Sequence, residues 1–383
     1  MKIIKNLFLI SAVTLSLNAC SSFFDKDNTP LPTPLTSFPA EAKVRALWYT
    51  STGVGSTNED LKLTPAIAGT TIFTTSKNGT VAANDIQTGK SLWSIHTGTE
   101  ISSGATANAG LVYVGSRDGD VYALDQSNGK MLWKALSSNE SLAPAAANNR
   151  LVLIKTIDGH VNAFSTIDGR SLWQYQQTEP NLILRGSSAP QIAHDSVIVG
   201  FENGELAKLG LRDGHVQWQK TIADPQGIFA VQRMVDIDAD PIVVGSRVYA
   251  ATYQGRIAAL DLSSGEEFWN HDISSYAGIA SDSTHVFVSD AKSHLWAFNA
   301  AKGTVNWEQS QLAARTITGP AIMGRYVVVG DAEGFLHWIS KEDGHFVARV
   351  QVNKSGITAT PLVYNNVLYV YTKDGHLAAY TIE

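Results

Sequence analysis

The chain has 383 residues, of which 44% are hydrophobic and 17% charged, and its formal net charge is −6 at pH 7. This apolar content excludes an intrinsically disordered protein, and the acidic balance argues against broad nucleic-acid binding, which requires basic surfaces. A single cysteine excludes a disulfide scaffold, and 31 glycines without a three-residue period exclude a collagen-like chain. Length alone suggests two or three domains.

The N-terminal residues have the pattern of an export signal. Lys2 and Lys5 precede a largely apolar stretch that is shorter than the roughly 20 residues of a membrane-spanning helix. Residues 1–19 are therefore predicted to be a signal peptide. The stretch ends in Leu-Asn-Ala-Cys, which resembles the lipobox of bacterial lipoproteins and implies lipidation of Cys20. The alternative is an ordinary signal peptide followed by a chance cysteine.

The segment after the signal is predicted to be a tether. Residues 20–43 contain four of the twelve prolines, which favour extended chain and cannot donate ladder hydrogen bonds. Such a tether would hold the folded body away from the membrane. Lipoproteins retained at the inner membrane typically have an aspartate directly after the cysteine. Ser21 occupies that position here, so the resemblance implies the periplasmic face of the outer membrane.

From about residue 44 the chain repeats a short turn followed by an alternating strand. The phrase DGDVYALD at 118–125 is typical, and it or a close variant occurs eight times. Asn-Gly and Asp-Gly suit a tight hairpin because both turn positions need a positive φ. A β-branched run such as VYVGS precedes each turn and is predicted to be the partner strand.

A second phrase, a glycine turn followed by a tryptophan, comes after each of the first six copies. It places six of the nine tryptophans at one structural position: Trp93, Trp133, Trp173, Trp218, Trp269 and Trp307. Ala348 takes this position in the seventh copy, and the eighth copy lacks the phrase. Trp48 supplies the phrase from the other end of the repeat region, so the N-terminal strand is predicted to complete the last blade. Trp296 and Trp338 fall outside the pattern and are predicted to be ordinary core residues.

This arrangement predicts an all-β fold, an eight-bladed β-propeller of four-stranded antiparallel blades, in a single domain over 44–383. The alternating phrases resemble the repeat of quinoprotein (PQQ) dehydrogenases. Together with the export signal, the lipobox and the number of blades, they make the chain similar to the BamB family, the propeller lipoproteins of the outer-membrane β-barrel assembly (BAM) complex. The resemblance implies a non-enzymatic scaffold that binds the central barrel protein BamA and assists folding and insertion of β-barrel proteins.

Two connections between repeats are longer than the others. They are 176–190 and 223–241, which follow neighbouring copies and are predicted to lie side by side on one face. The connection after Trp48 is also long. The two loops place apolar residues beside an arginine and several aspartates, a composition typical of protein-binding patches. The alternative is that the loops pack on each other, with Arg185 paired to the nearby acids.

The family resemblance extends to these loops. BamB proteins contact BamA through a Leu-x-Leu-Arg segment and an Asp-x-Asp segment in two adjacent loops. Five residues match these segments and are the predicted partner site: Leu182, Leu184, Arg185, Asp236 and Asp238. The resemblance implies that Arg185 both orients the loops through the aspartates and contacts the partner. Whether the propeller also holds nascent barrel strands on its blade edges or only orients its partner's periplasmic domains stays open.

The sequence contains no recognisable catalytic, cofactor-binding or metal-binding motif. The ten histidines are scattered, and HExxH, CxxC, Gly-x-Ser-x-Gly, P-loop and GxGxxG patterns are absent. The resemblance to quinoprotein dehydrogenases implies a longer propeller with an adjacent cysteine pair and calcium ligands. Neither the cysteine pair nor the calcium ligands are recognisable in this sequence. A PQQ-dependent dehydrogenase is the alternative from the enzyme class, and a cell-envelope binding module with another partner is the third possibility.

Overall fold

The structure is a computed structural model that describes residues 30–383, so the predicted signal peptide and Cys20 lie outside the described residues. In this part of the chain, 32 β-strands form eight four-stranded antiparallel sheets. The first strands of successive sheets contact one another around a common axis, so that each sheet is one blade of a propeller. The predicted eight-bladed propeller is confirmed. Among the described residues, no helix is long and apolar enough to cross a membrane.

Blades 1 to 7 each consist of four consecutive strands that run from the axis to the outer edge. Blades 1 to 4 contain β2 (Ala66–Ala68), β3 (Thr71–Thr75), β4 (Thr80–Asp85), β5 (Ser91–His96), β6 (Thr106–Asn108), β7 (Leu111–Gly115), β8 (Asp120–Asp125), β9 (Met131–Leu136), β10 (Ala146–Ala147), β11 (Leu151–Lys155), β12 (His160–Ser165), β13 (Ser171–Gln176), β14 (Gln191–Ala193), β15 (Ser196–Gly200), β16 (Glu205–Gly210) and β17 (Val216–Thr221). Blades 5 to 7 contain β18 (Ile242–Val244), β19 (Arg247–Ala251), β20 (Arg256–Asp261), β21 (Glu267–Asp272), β22 (Gly278–Ser281), β23 (His285–Ser289), β24 (Leu295–Asn299), β25 (Val305–Gln309), β26 (Ala321–Met323), β27 (Tyr326–Gly330), β28 (Phe335–Ser340) and β29 (Phe346–Gln351).

Blade 8 is assembled from both ends of the described chain. Its inner three strands are β30 (Leu362–Tyr364), β31 (Val367–Tyr371) and β32 (His376–Ile382), and its outer strand is β1 (Val44–Ser51). The β1–β32 register runs from Val44 opposite Ile382 to Ser51 opposite His376. This pairing closes the ring, as the repeat count predicts.

The burial of the strands explains their sequence patterns. The second and third strands of a blade lie between neighbouring blades, and β11 is buried along its whole length. Strands covered on both faces contain continuous apolar runs. The outer strands alternate instead, and in β13 the buried Trp173 lies between two exposed residues. The apolar pattern of each strand in the repeat therefore reflects the distance of that strand from the axis.

The tryptophans connect each blade to the next. Trp93 of blade 1 donates from its indole Nε1 to the carbonyl oxygen of Gln126 in blade 2, over 2.8 Å. Its ring covers Gly129, where a Cβ atom would lie 2.7 Å from the indole. The same bond to the following blade is made by Trp48, Trp133, Trp173, Trp218, Trp269 and Trp307. Seven of the eight blade boundaries in the described part share this contact.

The topology of blade 8 explains the missing eighth tryptophan. In the other blades, the indole docks on the turn between the third and the outer strand of the following blade. Because β1 supplies the outer strand of blade 8, no such turn joins it to β32. Ala348, at the tryptophan position of blade 7, is buried without a turn to cover. Trp338 is fully buried and Trp296 partly buried, as expected for core residues.

Alternation of strand direction gives the propeller two distinct faces. The connections from each outer strand to the next blade lie on one face, together with the turns between second and third strands; this face is called the loop face. The remaining turns lie on the opposite face.

Part of the predicted tether lies against the propeller. Residues 33–43 follow the outer edge of blade 7, where Leu35 and Phe38 pack on the apolar cluster that includes Phe346. The predicted tether thus includes a segment that two apolar side chains dock on the surface. This segment, residues 33–41 in particular, is called the strap below.

Candidate functional site

The two long connections lie side by side on the loop face. The first loop, residues 176–190, leaves β13, and the second loop, residues 223–241, leaves β17. The side chain of Asp236 accepts a hydrogen bond from the backbone N–H of Leu184 over 2.9 Å. Asp240 likewise accepts one from the N–H of Ala189 over 2.7 Å. Two aspartates of the second loop therefore hold the backbone of the first.

Alternation of side chains explains how one short segment performs this task. Asp236, Asp238 and Asp240 point to the first loop, whereas Ile237 and Ala239 between them are buried in the propeller core. Gly186 packs so closely on Asp238 that a Cβ atom would lie 2.6 Å from its carboxyl carbon. The Asp-x-Asp segment is thus anchored on one side and supports the Leu-x-Leu-Arg segment on the other.

Burial separates the five predicted site residues into two groups. Asp236 is completely buried and Asp238 is 3% exposed, so these carboxyl groups are not accessible on the surface. Burial raises the pKa of Asp236 to about 6 and that of Asp238 to about 7. Leu182 is 44% exposed and Arg185 is also exposed, whereas Leu184 is partly buried. The accessible part of the set is therefore Leu182 and Arg185.

Arg185 pairs with a different acid from the one that the sequence suggests. Its guanidinium Nη2 lies 3.0 Å from Glu140 Oε1, on the connection between blades 2 and 3, and the arginine side chain remains 55% exposed. The expected pairing with the aspartates is wrong, because Asp236 and Asp238 face the backbone of the first loop instead. Arg117 also lies close to Glu140 Oε1, at 3.5 Å, and pairs with Glu100.

The second loop also exposes apolar side chains at its tip. Ile228 is 90% exposed, Phe229 65% and Val231 54%. The short 3-10 helix Ala230–Arg233 forms the tip of this loop, and the Gln232 side-chain oxygen accepts hydrogen bonds from the N–H groups of residues 228 and 229. Exposed apolar side chains on an ordered tip are typical of a protein-binding patch.

A buried group of charged residues lies beneath the first loop. Lys155 Nζ and Glu202 Oε1 form a 2.8 Å ion pair in which neither side chain is exposed. Glu179 of the first loop is close to Glu202, and burial together with this neighbouring carboxylate raises its pKa. Asp236 and Asp238 lie near the same group, so that four carboxyl groups share the surroundings of Lys155, and Lys62 also lies near Asp238. Burial therefore raises the pKa values of three carboxyl groups beneath the first loop, those of Glu179, Asp236 and Asp238.

The third long connection borders the same site. Lys62 Nζ donates to the carbonyl oxygen of Tyr276, on the connection between blades 5 and 6, over 2.6 Å. A cavity of about 480 Å³ opens there between Lys62, Arg185, Tyr253 and Tyr276. Within residues 30–383, no group of three or more His, Cys, Asp or Glu residues is placed to hold a metal ion.

Known proteins identify the family. The family model described as outer membrane protein assembly factor BamB matches residues 77–309 and 307–383. The outer membrane protein assembly factor BamB of Legionella pneumophila (strain Paris) is 47% identical over 353 residues, 92% of each chain. The chain belongs to the BamB family of outer membrane protein assembly factors. The Escherichia coli (strain K12) member is 34% identical over 380 residues, 97% of each chain.

Solved structures agree with this membership. The crystal structure of BamB from Moraxella catarrhalis superposes with a TM-score of 0.82 at 25% identity, over 88% of this chain and 100% of that one. Quinohemoprotein alcohol dehydrogenase from Comamonas testosteroni superposes with a TM-score of 0.71 at 13% identity, which shows a shared fold alone. The predicted BamB resemblance is confirmed, and membership in a family of assembly factors agrees with the prediction of a non-enzymatic protein.

The structure adds residues to the site that the sequence alone does not indicate. Glu140 and Lys62 lie on other connections, and Glu202 follows a buried strand of blade 4. Neither Glu140 nor Lys62 belongs to a recognisable motif, so no local pattern distinguishes them. The position of Glu202 directly after the run VIVGF, where blade cores are apolar, is the one available signal.

Proposed function

We propose that the protein is a lipid-anchored member of the BAM complex that docks on the periplasmic domains of BamA through the loop face. The main support is the division of roles in the two loops. Buried aspartates hold the first loop, on which Leu182 and Arg185 remain exposed, and Ile228 and Phe229 are exposed at the tip of the second loop. An arginine flanked by apolar anchors is the composition that dominates binding energy in protein interfaces.

Binding of purified BamA periplasmic domains to single variants tests this proposal. We expect Leu182→Ala and Arg185→Ala each to weaken binding at least tenfold in isothermal titration calorimetry, because each removes an exposed anchor. Leu132→Ala is the matched control, since Leu132 is 50% exposed on the outer strand of blade 2, outside the two loops. Equal affinity of all three variants and the parent, with unchanged circular dichroism, would show that BamA does not bind here.

The membrane anchor is the second part of the proposal. Cys20 follows the predicted signal peptide and is the one cysteine of the chain. Several acyl chains on one residue give stable membrane attachment, since each buried CH₂ contributes about 0.8 kcal/mol. We expect metabolic labelling with palmitate to mark the parent protein in the outer-membrane fraction and to be lost with Cys20→Ala. Labelling that persists in Cys20→Ala would contradict the assignment.

A further role in holding nascent barrel strands is supported by the outer edges of the blades. The residue before the tryptophan is an exposed leucine in four neighbouring blades, namely Leu47, Leu92, Leu132 and Leu172. Unpaired edge strands with apolar side chains can accept an additional strand. Photocrosslinking from positions 92 and 132 to a nascent barrel protein tests this role. If no crosslink to the nascent barrel protein forms while crosslinking to BamA is intact, orientation of BamA remains as the function of the propeller.

A further inference from the structure

The strap begins on the loop face. The N–H of Thr33 donates to the carbonyl oxygen of Ala313 over 3.0 Å, on the connection between blades 6 and 7. Arg315, on the same connection, returns a 3.0 Å hydrogen bond from Nη1 to the carbonyl oxygen of Thr33. The Arg315 side chain is only 2% exposed and also pairs with Asp331 over 2.7 Å. A backbone carbonyl of the strap thus completes the hydrogen bonding of a buried guanidinium.

A second arginine holds the middle of the strap. Arg349 Nη1 donates to the carbonyl oxygen of Thr36 over 2.9 Å. Its guanidinium carbon lies 5.0 Å from the ring centroids of both Phe38 and Phe346, and these two rings stack 5.5 Å apart. Cation–π contact, ring stacking and a hydrogen bond therefore act on the same short stretch of chain.

The strap ends on the opposite face. The N–H of Glu41 donates to the carbonyl oxygen of Val347 over 3.0 Å, and the Glu41 carboxylate lies 3.1 Å from His345 Nε2 in the turn before β29. The chain then enters β1 at Val44, opposite Ile382. The strap accordingly crosses the whole edge of blade 7, from the loop face to the opposite face, antiparallel to β29.

This path reverses the side from which the N-terminal segment leaves the propeller. If residues 33–43 were free, the chain would leave from the start of β1 on the opposite face, and Cys20 could lie up to about 80 Å away. With the strap docked, the chain leaves at Thr33 on the loop face. The residues between Cys20 and Thr33 then reach at most about 45 Å.

We propose that the strap makes the chain that leads to the lipid anchor leave the propeller on the loop face. The loop face, which carries the first and second loops, is then turned towards the membrane. The inference rests on the proposed anchor at Cys20. It assigns the strap an orienting role, in which blade 7 is the side of the propeller held nearest the anchor. The first and second loops, at blades 3 to 5, lie across the ring from blade 7. BamA would then be bound between the propeller and the bilayer.

Energy transfer on vesicles tests the orientation without lipidation or BamA. The chain from residue 20 onwards carries Cys20→Ser and an N-terminal hexahistidine tag, bound to phosphatidylethanolamine–phosphatidylglycerol vesicles that contain nickel-chelating and rhodamine-labelled lipids. A donor dye is placed through Asn78→Cys on the loop face or through Gln87→Cys on the opposite face. Both positions are exposed turns of blade 1, so the two donors differ mainly in face. We expect the donor at position 78 to transfer more efficiently.

Variants of the strap give the second part of the test. Leu35→Ser with Phe38→Ser is expected to release the strap and to abolish or reverse the difference between the two donors, whereas Ser37→Ala, at an exposed position, preserves it. Equal or reversed efficiencies with the strap intact would overturn the proposal, as would a difference that persists after release. Because BamA is absent and the tag replaces the lipid, these outcomes are independent of those for Leu182→Ala, Arg185→Ala and Cys20→Ala.

Discussion

Trp48 Nε1 donates a hydrogen bond to the carbonyl oxygen of Ile86 over 3.1 Å, and this contact joins blade 8 to blade 1. Trp48 lies in β1, the strand that the N-terminal part of the repeat region contributes to the last blade. Its ring covers Gly89 as closely as the other six tryptophans cover their glycines, and it also packs on Tyr369. The ring is therefore closed by strand pairing within blade 8 and by an indole contact with blade 1.

Replacement of Trp48 tests the contribution of this contact to stability. We expect Trp48→Ala to lower the free energy of unfolding by about 3–5 kcal/mol, the usual cost of removing a large buried aromatic side chain. Trp48→Phe should cost less, since it keeps an aromatic ring and loses the N–H donor. Urea denaturation followed by circular dichroism measures both. A Trp48→Ala protein as stable as the parent would show that strand pairing alone closes the ring.

Two glycines of blade 2 separate backbone strain from tryptophan docking. Gly129 has a φ of 72° and would place a Cβ atom 2.7 Å from the Trp93 ring, whereas Gly110 has a φ of 83° with no atom within 4 Å. Alanine at either position lowers the free energy of unfolding by about 1–2 kcal/mol, because it must adopt the left-handed conformation. We expect Gly129→Ala to cost a further 1–3 kcal/mol, roughly, because the indole must move. Equal unfolding free energies for the two variants would contradict the docking argument.

The repeat makes much of this fold predictable from the sequence. Glycine turns and tryptophans recur at fixed spacing, so the number of blades and the closing role of Trp48 follow from counting. Counting does not predict the contact between each tryptophan and the glycine of the next blade, because the spacing alone cannot show which turn a side chain reaches. The alanine at position 348 is explained only by the topology of blade 8, in which β1 is the outer strand and no turn joins it to β32.

The site is less predictable because its contacts join distant segments. Arg185 and Glu140 are 45 residues apart, and Leu184 and Asp236 are 52 apart. Loop length and apolar content indicate that the loops are unusual but not which acid meets which donor. The strap is missed for a similar reason, since a proline-rich segment has the same extended conformation whether it is free or docked.

The buried carboxyl groups predict that stability falls as the pH rises. Burial raises the pKa of Asp238 to about 7, above the value of about 4 in an unfolded chain. The folded state therefore binds the proton more tightly, so this contribution is fully present below pH 4 and is lost as the pH rises through 7. Between pH 6 and 8 we expect the parent to lose about 1 kcal/mol of unfolding free energy through this group.

Asp238→Asn should reduce that dependence without abolishing it, because an amide does not titrate whereas the pKa values of Asp236 and Glu179 are also raised. Asp374→Asn is the control, since hydrogen bonds from Thr372 and Ser355 outweigh its burial and lower the pKa of Asp374 to about 2, far outside this range. Urea denaturation at pH 6, 7 and 8 measures the three proteins. A slope that is the same for Asp238→Asn and the parent would show that Asp238 is ionised throughout.

Variants of Asp236 distinguish support of the first loop from direct contact with BamA. Asp236→Ala removes the acceptor of the Leu184 N–H, so we expect faster amide exchange in residues 181–186 and binding of BamA periplasmic domains weaker by about tenfold, or about 1.4 kcal/mol. Asp236→Asn keeps a side-chain oxygen in the same place and should stay within about threefold of the parent. If the carboxylate instead contacts BamA through its charge, both variants will lose binding equally while exchange in the first loop stays unchanged.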